Sequence, residues 1–432
     1  MKKVAIIHHG CAKNLIDTEL MSGKLIEKGF EVTLDAYATD VDYIIVNTCS
    51  FIFDAEEESI SSIFDMIDTG KKVIIAGCLP QKHQKHLKKL ISEAFGFIGT
   101  SDIDKIADLI KRDEEFYYVS EKPVCKYPED IKRAQITVGA SSYIKIAEGC
   151  NYSCGYCVIP KLRGKFISRP IENIVNEAKE LVKKGVNEII LIAQDTSSYG
   201  IDLYNKPSLD KLLYELDKID DLSWIRILYT YPTNFTKGLI RAYREIERVV
   251  KYVDIPLQHS HKEILKAMRR PVVDGLDFIN KLRDEIDDLA IRTTLITGYP
   301  TEDDRHFEHL YNFVKEAKFD RLGVFEFSKE KGTYAYNLKP QVPKKIKAIR
   351  KDKILKLQKE ISNELNEKMI GKKIPSIIET IQSDGLAIAR TYKDAPDVDG
   401  LIFINTDEVL IPGDIYDVEV TSYSDYDLYG KI

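Results

Sequence analysis

Three cysteines lie within eight residues, in Cys150-Asn151-Tyr152-Ser153-Cys154-Gly155-Tyr156-Cys157. A loop this short can wrap its sulfurs around one face of a metal centre, and thiolates favour zinc, copper(I) or iron–sulfur clusters. Tetrahedral structural zinc asks for a fourth protein ligand, and no further Cys or His follows nearby. Three ligands on a 4Fe-4S cluster leave one iron open, which is the useful arrangement for binding a substrate or cofactor.

Cys11, Cys49 and Cys78 are unrelated by spacing but alike in position. Each falls just after an apolar run: Val4–Ile7, Tyr43–Val46 and Val73–Ala76. In a parallel sheet those ends share one edge, where α/β folds place ligands. One such cysteine alone reads as a small buried hydrophobe; three in equivalent places read as ligands converging on one site. Cys125, in a polar stretch with Pro123 and Pro128, has no companion and reads as a bystander.

The CxxxCxxC spacing, with Tyr156 directly before the third Cys, resembles the signature of the radical S-adenosylmethionine (SAM) superfamily. Gly10-Cys11-Ala12-Lys13-Asn14, Asn47-Thr48-Cys49 and Gly77-Cys78-Leu79 resemble the N-terminal domain of the radical SAM methylthiotransferases, and the likeness runs over essentially the whole chain. It implies an enzyme, a transferase, with two 4Fe-4S clusters. One, on Cys150, Cys154 and Cys157, would bind SAM and release a 5′-deoxyadenosyl radical. The other, on Cys11, Cys49 and Cys78, would carry the sulfur to be transferred. It also implies that Tyr156 lies against the adenine. Gln194, Gln258 and Gly298, each just past an apolar strand-like run, are further candidates for the SAM pocket. The family's Gly-Glu-Thr is replaced by Thr301-Glu302-Asp303 after that last run. His259 and His261 are spaced i, i+2, which does not suggest a zinc pair.

The elements that must position these groups follow from 432 residues, enough for two to four domains. The composition is ordinary for a globular protein, at 44% hydrophobic and 31% charged. A net charge of −6 carries no global nucleic-acid signature. No run of 18 apolar residues occurs, and the N-terminal apolar run is too short for a signal-peptide core. The expectation is a cytoplasmic chain with no membrane partner, whose thiols stay reduced.

Strand–helix alternation over residues 1–112 predicts an open, mostly parallel α/β sheet. Residues 113–135 read as a linker. Residues 136–368 carry six strand candidates, Tyr143–Ile146, Glu188–Ala193, Trp224–Leu228, Tyr252–Ile255, Ile291–Ile296 and Leu322–Phe327, with helices between. Six units are short of an eight-unit barrel and predict a partial (β/α)6 barrel. Lys344–Ile370 reads as a long charged helix. Residues 369–432 switch to short β runs and predict a small all-β barrel, which matches a TRAM domain in position and size.

Between 370 and 432 there are five basic and twelve acidic residues. Phosphate contact dominates nucleic-acid affinity, so this module would repel a tRNA backbone and suits a basic protein partner. Gly10-Cys11-Ala12-Lys13-Asn14, Ala395-Pro396-Asp397-Val398-Asp399-Gly400 and Asp425-Tyr426-Asp427-Leu428 resemble the branch of the family that modifies a ribosomal protein. That branch implies β-methylthiolation of an aspartate in small-subunit ribosomal protein number twelve, free or on the ribosome. It also implies an electron donor such as flavodoxin or ferredoxin, and no direct tRNA binding. The alternative is a tRNA methylthiotransferase acting on an N6-modified adenosine.

Overall fold

A computed structural model describes residues 2–124, 133–136, 139–383, 385–406 and 408–432. Cys125 lies outside the described residues, as do Asp384 and Asp407.

The first sheet is built from β1 (Lys3–His8), β2 (Glu31–Thr33), β3 (Tyr43–Thr48), β4 (Lys72–Gly77), β5 (Gly96–Ile98) and β6 (Phe116–Tyr118). All pairs are parallel, in the order β2-β1-β3-β4-β5-β6. The near-continuous apolar runs of β3 and β4 follow from burial on both faces. One face packs Val4, Ile6, Tyr43 and Ile45 against α1 (Ala12–Glu27) and α5 (Ile106–Arg112). The other packs Ile44, Val46 and Ile75 against α2 (Phe53–Ile67) and the end of a broken helix. After β4 the chain forms two short helices, α3 (Cys78–His83) and α4 (Lys85–Leu90), because Gln84 turns into the left-handed region at φ 51°. Strand β6 lies inside the stretch read as a linker; its Phe-Tyr-Tyr run pairs with β5 and extends the sheet to Tyr118.

The central region has six parallel strands. In one sheet β7 (Ser141–Lys145), β10 (Glu188–Ile192) and β11 (Trp224–Ile227) pair in that order. A second contains β12 (Tyr252–Asp254), β13 (Ala290–Thr297) and β14 (Arg321–Glu326). A parallel bridge between Ile225 and Val249 links the two halves, which gives the partial barrel. The short hairpin β8 (Ala147–Glu148) and β9 (Ile167–Ser168) stands above β7. Around the outside run α7 (Ile171–Lys183), α8 (Ile201–Tyr204), α9 (Leu209–Leu216), α10 (Lys237–Glu245), α11 (Lys262–Ala267), α12 (Gly275–Glu285), α13 (Asp304–Ala317) and α14 (Lys344–Glu367), while α6 (Ile159–Arg163) lies against the first domain. Strand residues alternate: Ile189 and Leu191 face the helices, while Ile190 and Ile192 face inward. That inner face is filled by Ile16 of α1 at one end and by Ile377 and Ala395 of the C-terminal module at the other.

The module is a closed five-stranded barrel, β15 (Lys373–Ile381), β16 (Ala387–Thr391), β17 (Ile402–Ile404), β18 (Ile415–Tyr423) and β19 (Leu428–Lys431). The short last strand, β19, closes the barrel by pairing with both β17 and β18. The barrel docks at the N-terminal ends of the central strands. There Glu188 takes Arg226 at 2.7 Å and Arg390 at 2.5 Å, all three buried. Arg292 meets Asp399 at 3.2 Å, and Arg321 meets Asp394 at 2.5 Å. Part of the acidic surplus expected to face a partner is therefore committed to this dock. Asp397, Glu408 and Asp417 remain exposed.

Arg390 and Arg226 overcome the burial of Glu188 and hold its carboxyl down at about 2, against an ordinary 4.5. A depressed folded-state value gives stability that is complete above pH 4.5 and is lost as pH falls through 2. Glu188→Gln should cost about 3–5 kcal/mol near neutrality, because two buried guanidinium groups lose their counter-charge. Urea midpoints measured for both proteins across the acid range should converge as pH approaches 2.

Candidate functional site

The Cys150–Cys157 loop leaves β8, which follows β7, through Gly149. Its φ of +77° and the carbonyl of Lys165, 2.1 Å from where a Cβ would stand, admit no side chain there. The loop then supplies its own donors to sulfur: Tyr152 N–H reaches Cys150 Sγ at 3.4 Å and Ile159 N–H reaches Cys157 Sγ at 3.4 Å. The Arg270 guanidinium stands 4.0 Å from Cys154 Sγ. Burial pushes the Cys150 thiol up to about 11 and Cys157 up to about 12. Holding these two as thiolates thus calls for a cationic centre beside them.

Both donor sets are all sulfur, which suits an iron–sulfur core.

Beside this loop is a wall of aromatic and polar groups. Tyr152 stacks on Tyr231 at 4.2 Å, and the Arg270 guanidinium lies over the Tyr231 ring, 4.4 Å from its centroid. Asn234 donates to Tyr152 Oη at 2.6 Å and to Ser198 Oγ at 2.7 Å, and Ser198 donates to Asp195. Gln194 Nε2 donates to Glu148 at 2.5 Å, whereas Gln194 Oε1 and Tyr231 Oη are buried oxygens with no protein partner. Unpaired buried oxygens are costly, so they favour a polar ligand at this spot. Tyr156 is packed near Met268 and Tyr299, and Arg270 donates to its hydroxyl at 3.2 Å. Gln258 has φ +71°, and its backbone bridges to Thr294 and Ile296 at 2.8 Å each. Gly298, at φ +73°, gives its N–H to Glu302, and a Cβ there would stand 2.3 Å from Lys347 Cγ.

Cys11, Cys49 and Cys78 follow β1, β3 and β4 at the carboxyl edge of the first sheet. Because β2 and β3 flank β1 on opposite sides, the chain reverses direction of winding there, and such switch points open a crevice. Asn14 ties the strand ends together. Its amide donates to the carbonyls of His9 and Thr48 at 2.9 and 3.0 Å, and its own carbonyl accepts from Asn47 at 2.9 Å. Gly10, at φ +94°, passes so close that a Cβ would stand 2.9 Å from Cys49 Sγ. Burial raises the Cys78 thiol to about 11 and also raises Cys49. Lost hydration opposes ionisation of Cys11 too, but Lys13, Arg163 and the N–H groups of Asn14 and Lys13 outweigh it and lower its value.

The two triads are joined by contact. Cys78 packs against Val158 and Leu162, the residues that follow Cys157. Arg163, at the end of α6, donates to Cys78 Sγ at 3.7 Å and to Asn14 Oδ1 at 2.5 Å. It also pairs with Asp17 at 2.8 Å and Glu148 at 3.0 Å, and Lys145 pairs with the same two at 2.5 and 2.6 Å. These four charges are buried. Lys13 lies 3.6 Å over the Tyr229 ring, on the other side of the same junction.

The six cysteines named from sequence therefore gather as two triads on facing loops. Sequence reasoning missed Tyr231, Asn234 and Arg270 in the wall, and Arg163 and Lys145 in the junction. Tyr231 and Asn234 follow β11 just as Gln194 follows β10, so the rule of polar residues past strand ends applied to them as well. Lys145 showed itself as a charge inside an apolar run.

Comparison with known proteins gives three matches along the chain: the Radical SAM superfamily over residues 144–314, the Uncharacterized protein family UPF0004 over residues 3–99 and the TRAM domain over residues 370–432. Among similar proteins is the "Ribosomal protein uS12 methylthiotransferase RimO" of Prochlorococcus marinus (strain AS9601). It is 44% identical, over 100% of this chain and 96% of that one. The protein of the same name from Thermoanaerobacter sp. (strain X514) is 44% identical over 100% of both chains. Among solved structures, the radical SAM methyltransferase TsrM from Kitasatospora setae shares the fold at a TM-score of 0.54 and 13% identity, covering 75% of this chain and 73% of that one.

Arg163→Ala should destabilise the chain by about 2–4 kcal/mol, since it leaves Asp17 and Glu148 with Lys145 as their shared cation. Arg163→Lys should recover part of that, and chemical denaturation of the three proteins measures both.

Proposed function

The chain belongs to the RimO family of radical SAM methylthiotransferases, and on that premise we propose that it adds a methylthio group to the β-carbon of an aspartate in ribosomal protein uS12. The superfamily uses SAM and a 4Fe-4S cluster. In this reading Cys150, Cys154 and Cys157 hold that cluster, and Cys11, Cys49 and Cys78 hold a second. When bound, the first supplies the electron that opens SAM to a hydrogen-abstracting radical, and the second carries the sulfur.

The observation that carries the reading is the pairing of two all-sulfur triads on facing loops, with Cys78 packed on Val158 and Leu162 beside the other triad. An unactivated C–H bond has no base able to remove its proton readily. The residues' work is therefore to hold two reagents near one carbon and keep water out. The N–H groups of Tyr152 and Ile159 and the Arg270 guanidinium stabilise thiolate charge. Gln194 Oε1 and Tyr231 Oη offer acceptors to the SAM amino group, Tyr156 and the Gln258 turn border the same ligand, and Gly298 shapes the loop beside it. Arg163, touching Cys78 and Glu148 alike, keeps the two triads in fixed register.

The acidic exposed face of the TRAM barrel suits a basic protein such as a ribosomal protein better than tRNA. Flavodoxin or ferredoxin is the class of reductant that would deliver the electron.

Anaerobically reconstituted protein should hold about eight irons per chain. Cys154→Ala should abolish reductive SAM cleavage. Cys49→Ala should keep cleavage and lose sulfur insertion; equal loss of cleavage in both would contradict separate roles. Intact-mass analysis of uS12 from cells with and without the gene should differ by one methylthio group. Loss of a 2-methylthio-adenosine in tRNA, with uS12 unaltered, would overturn the substrate.

A further inference from the structure

On the outer side of the second half-barrel, four residues distant in sequence meet. His261 and Glu263 open α11, and His306 and His309 lie in the first turns of α13. One ligand atom each from His261, Glu263 and His306 all lie within 4.8 Å of one another. The His261 ring stands edge-on to His306 at 4.5 Å and to His309 at 5.0 Å between centroids.

His306 Nδ1 accepts the Asp303 N–H at 3.2 Å and lies beside Asp303 Oδ1, and its Nε2 lies 3.0 Å from Glu263 Oε2. A neutral ring with its proton on Nε2 therefore caps α13 and donates to Glu263. Moving that proton to Nδ1, where Asp303 Oδ1 can accept it, frees Nε2 for a cation and gives the carboxylate–histidine–metal arrangement that orients protein ligands. The His261 ring borders the same space, with its Nδ1 accepting the N–H of Glu263 at 3.2 Å.

We propose that His261, Glu263 and His306 form a binding site for a divalent cation of the Zn2+ class, with Asp303 orienting His306 and His309 bordering the open coordination position. Two imidazoles and one carboxylate are a zinc donor set with a fourth place free. The ion would replace Arg305, which now lies 2.9 Å from Glu263. It would pin the loop after β12, which carries Gln258, to the loop after β13, which carries Gly298. The site is separate from the cysteine triads and does not depend on what they hold.

The test uses cluster-loaded, chelator-treated enzyme dialysed anaerobically against Zn2+, with zinc and iron counted by mass spectrometry. Wild type should take up one zinc per chain with no loss of iron. The double variant H261Q/E263Q should take up none at the same free zinc, with its iron unchanged. Asp303→Asn keeps a good helix cap and should weaken binding about 10- to 100-fold, while Arg305→Gln should tighten it. His306 is left intact because its ring completes the cap of α13. Equal zinc uptake by wild type and H261Q/E263Q would assign the zinc to thiols and overturn the proposal, as would no uptake by wild type.

Discussion

Asp17, Lys145, Glu148 and Arg163 form a closed square of buried charge between the first sheet and the central barrel, and the relation of the two sulfur triads rests on it. Two cations and two carboxylates taken out of water are expensive, and only near-complete mutual pairing makes them tolerable. Each carboxylate here meets both cations within 3.0 Å. A slip of the domains would strand charge in a dry interface, so the square acts as a register pin. Arg163 extends it directly to a sulfur of one triad, and Glu148 extends it through Gln194 to the wall beside the other.

The central barrel is open, and both of its ends are used. At the carboxyl ends of its strands, the first domain inserts Ile16 and the loop of Cys11. At the amino ends, the TRAM barrel seals the interior with Ile377 and Ala395, fixed by Glu188, Arg226 and Arg390. This division keeps chemistry and docking apart. Ligands gather where parallel strands end and successive loops converge, while the opposite face is free to serve stability alone. It also explains why the acidity of the TRAM module is not all surface charge: Asp394 and Asp399 answer the arginines of the barrel floor.

The triads sit where topology opens a gap. In the first sheet, β1 lies between β2 and β3, so the chain winds in opposite directions on its two sides. Gly10 and Asn14 then bring Cys11 and Cys49 together. In the central domain, Gly149 makes the turn that lifts Cys150–Cys157 clear of β7. Each cysteine loop depends on a backbone conformation that a side chain would block.

Much of this was legible from residue order. The two cysteine patterns, the two α/β regions, the long helix and the small β barrel follow from local signals, namely spacing, apolar runs and turn residues. A parallel sheet buries whole strands, which makes them easy to read. What needed the tertiary structure was every feature set by partners far apart in the chain. Short strands such as β6 and β19 exist because a sheet edge awaits them, not because their own residues compel extension. Arg163, Arg270 and Tyr231 look like any other charged or aromatic residue until folding places them against sulfur and one another. His306 likewise has no motif with His261; two helix starts, packed side by side, make them neighbours. Sequence alone determined which atoms could do chemistry and which strands would carry them. Only the fold decided which of those atoms meet, because long-range packing and the pairing of buried charge are not encoded in any one stretch of chain.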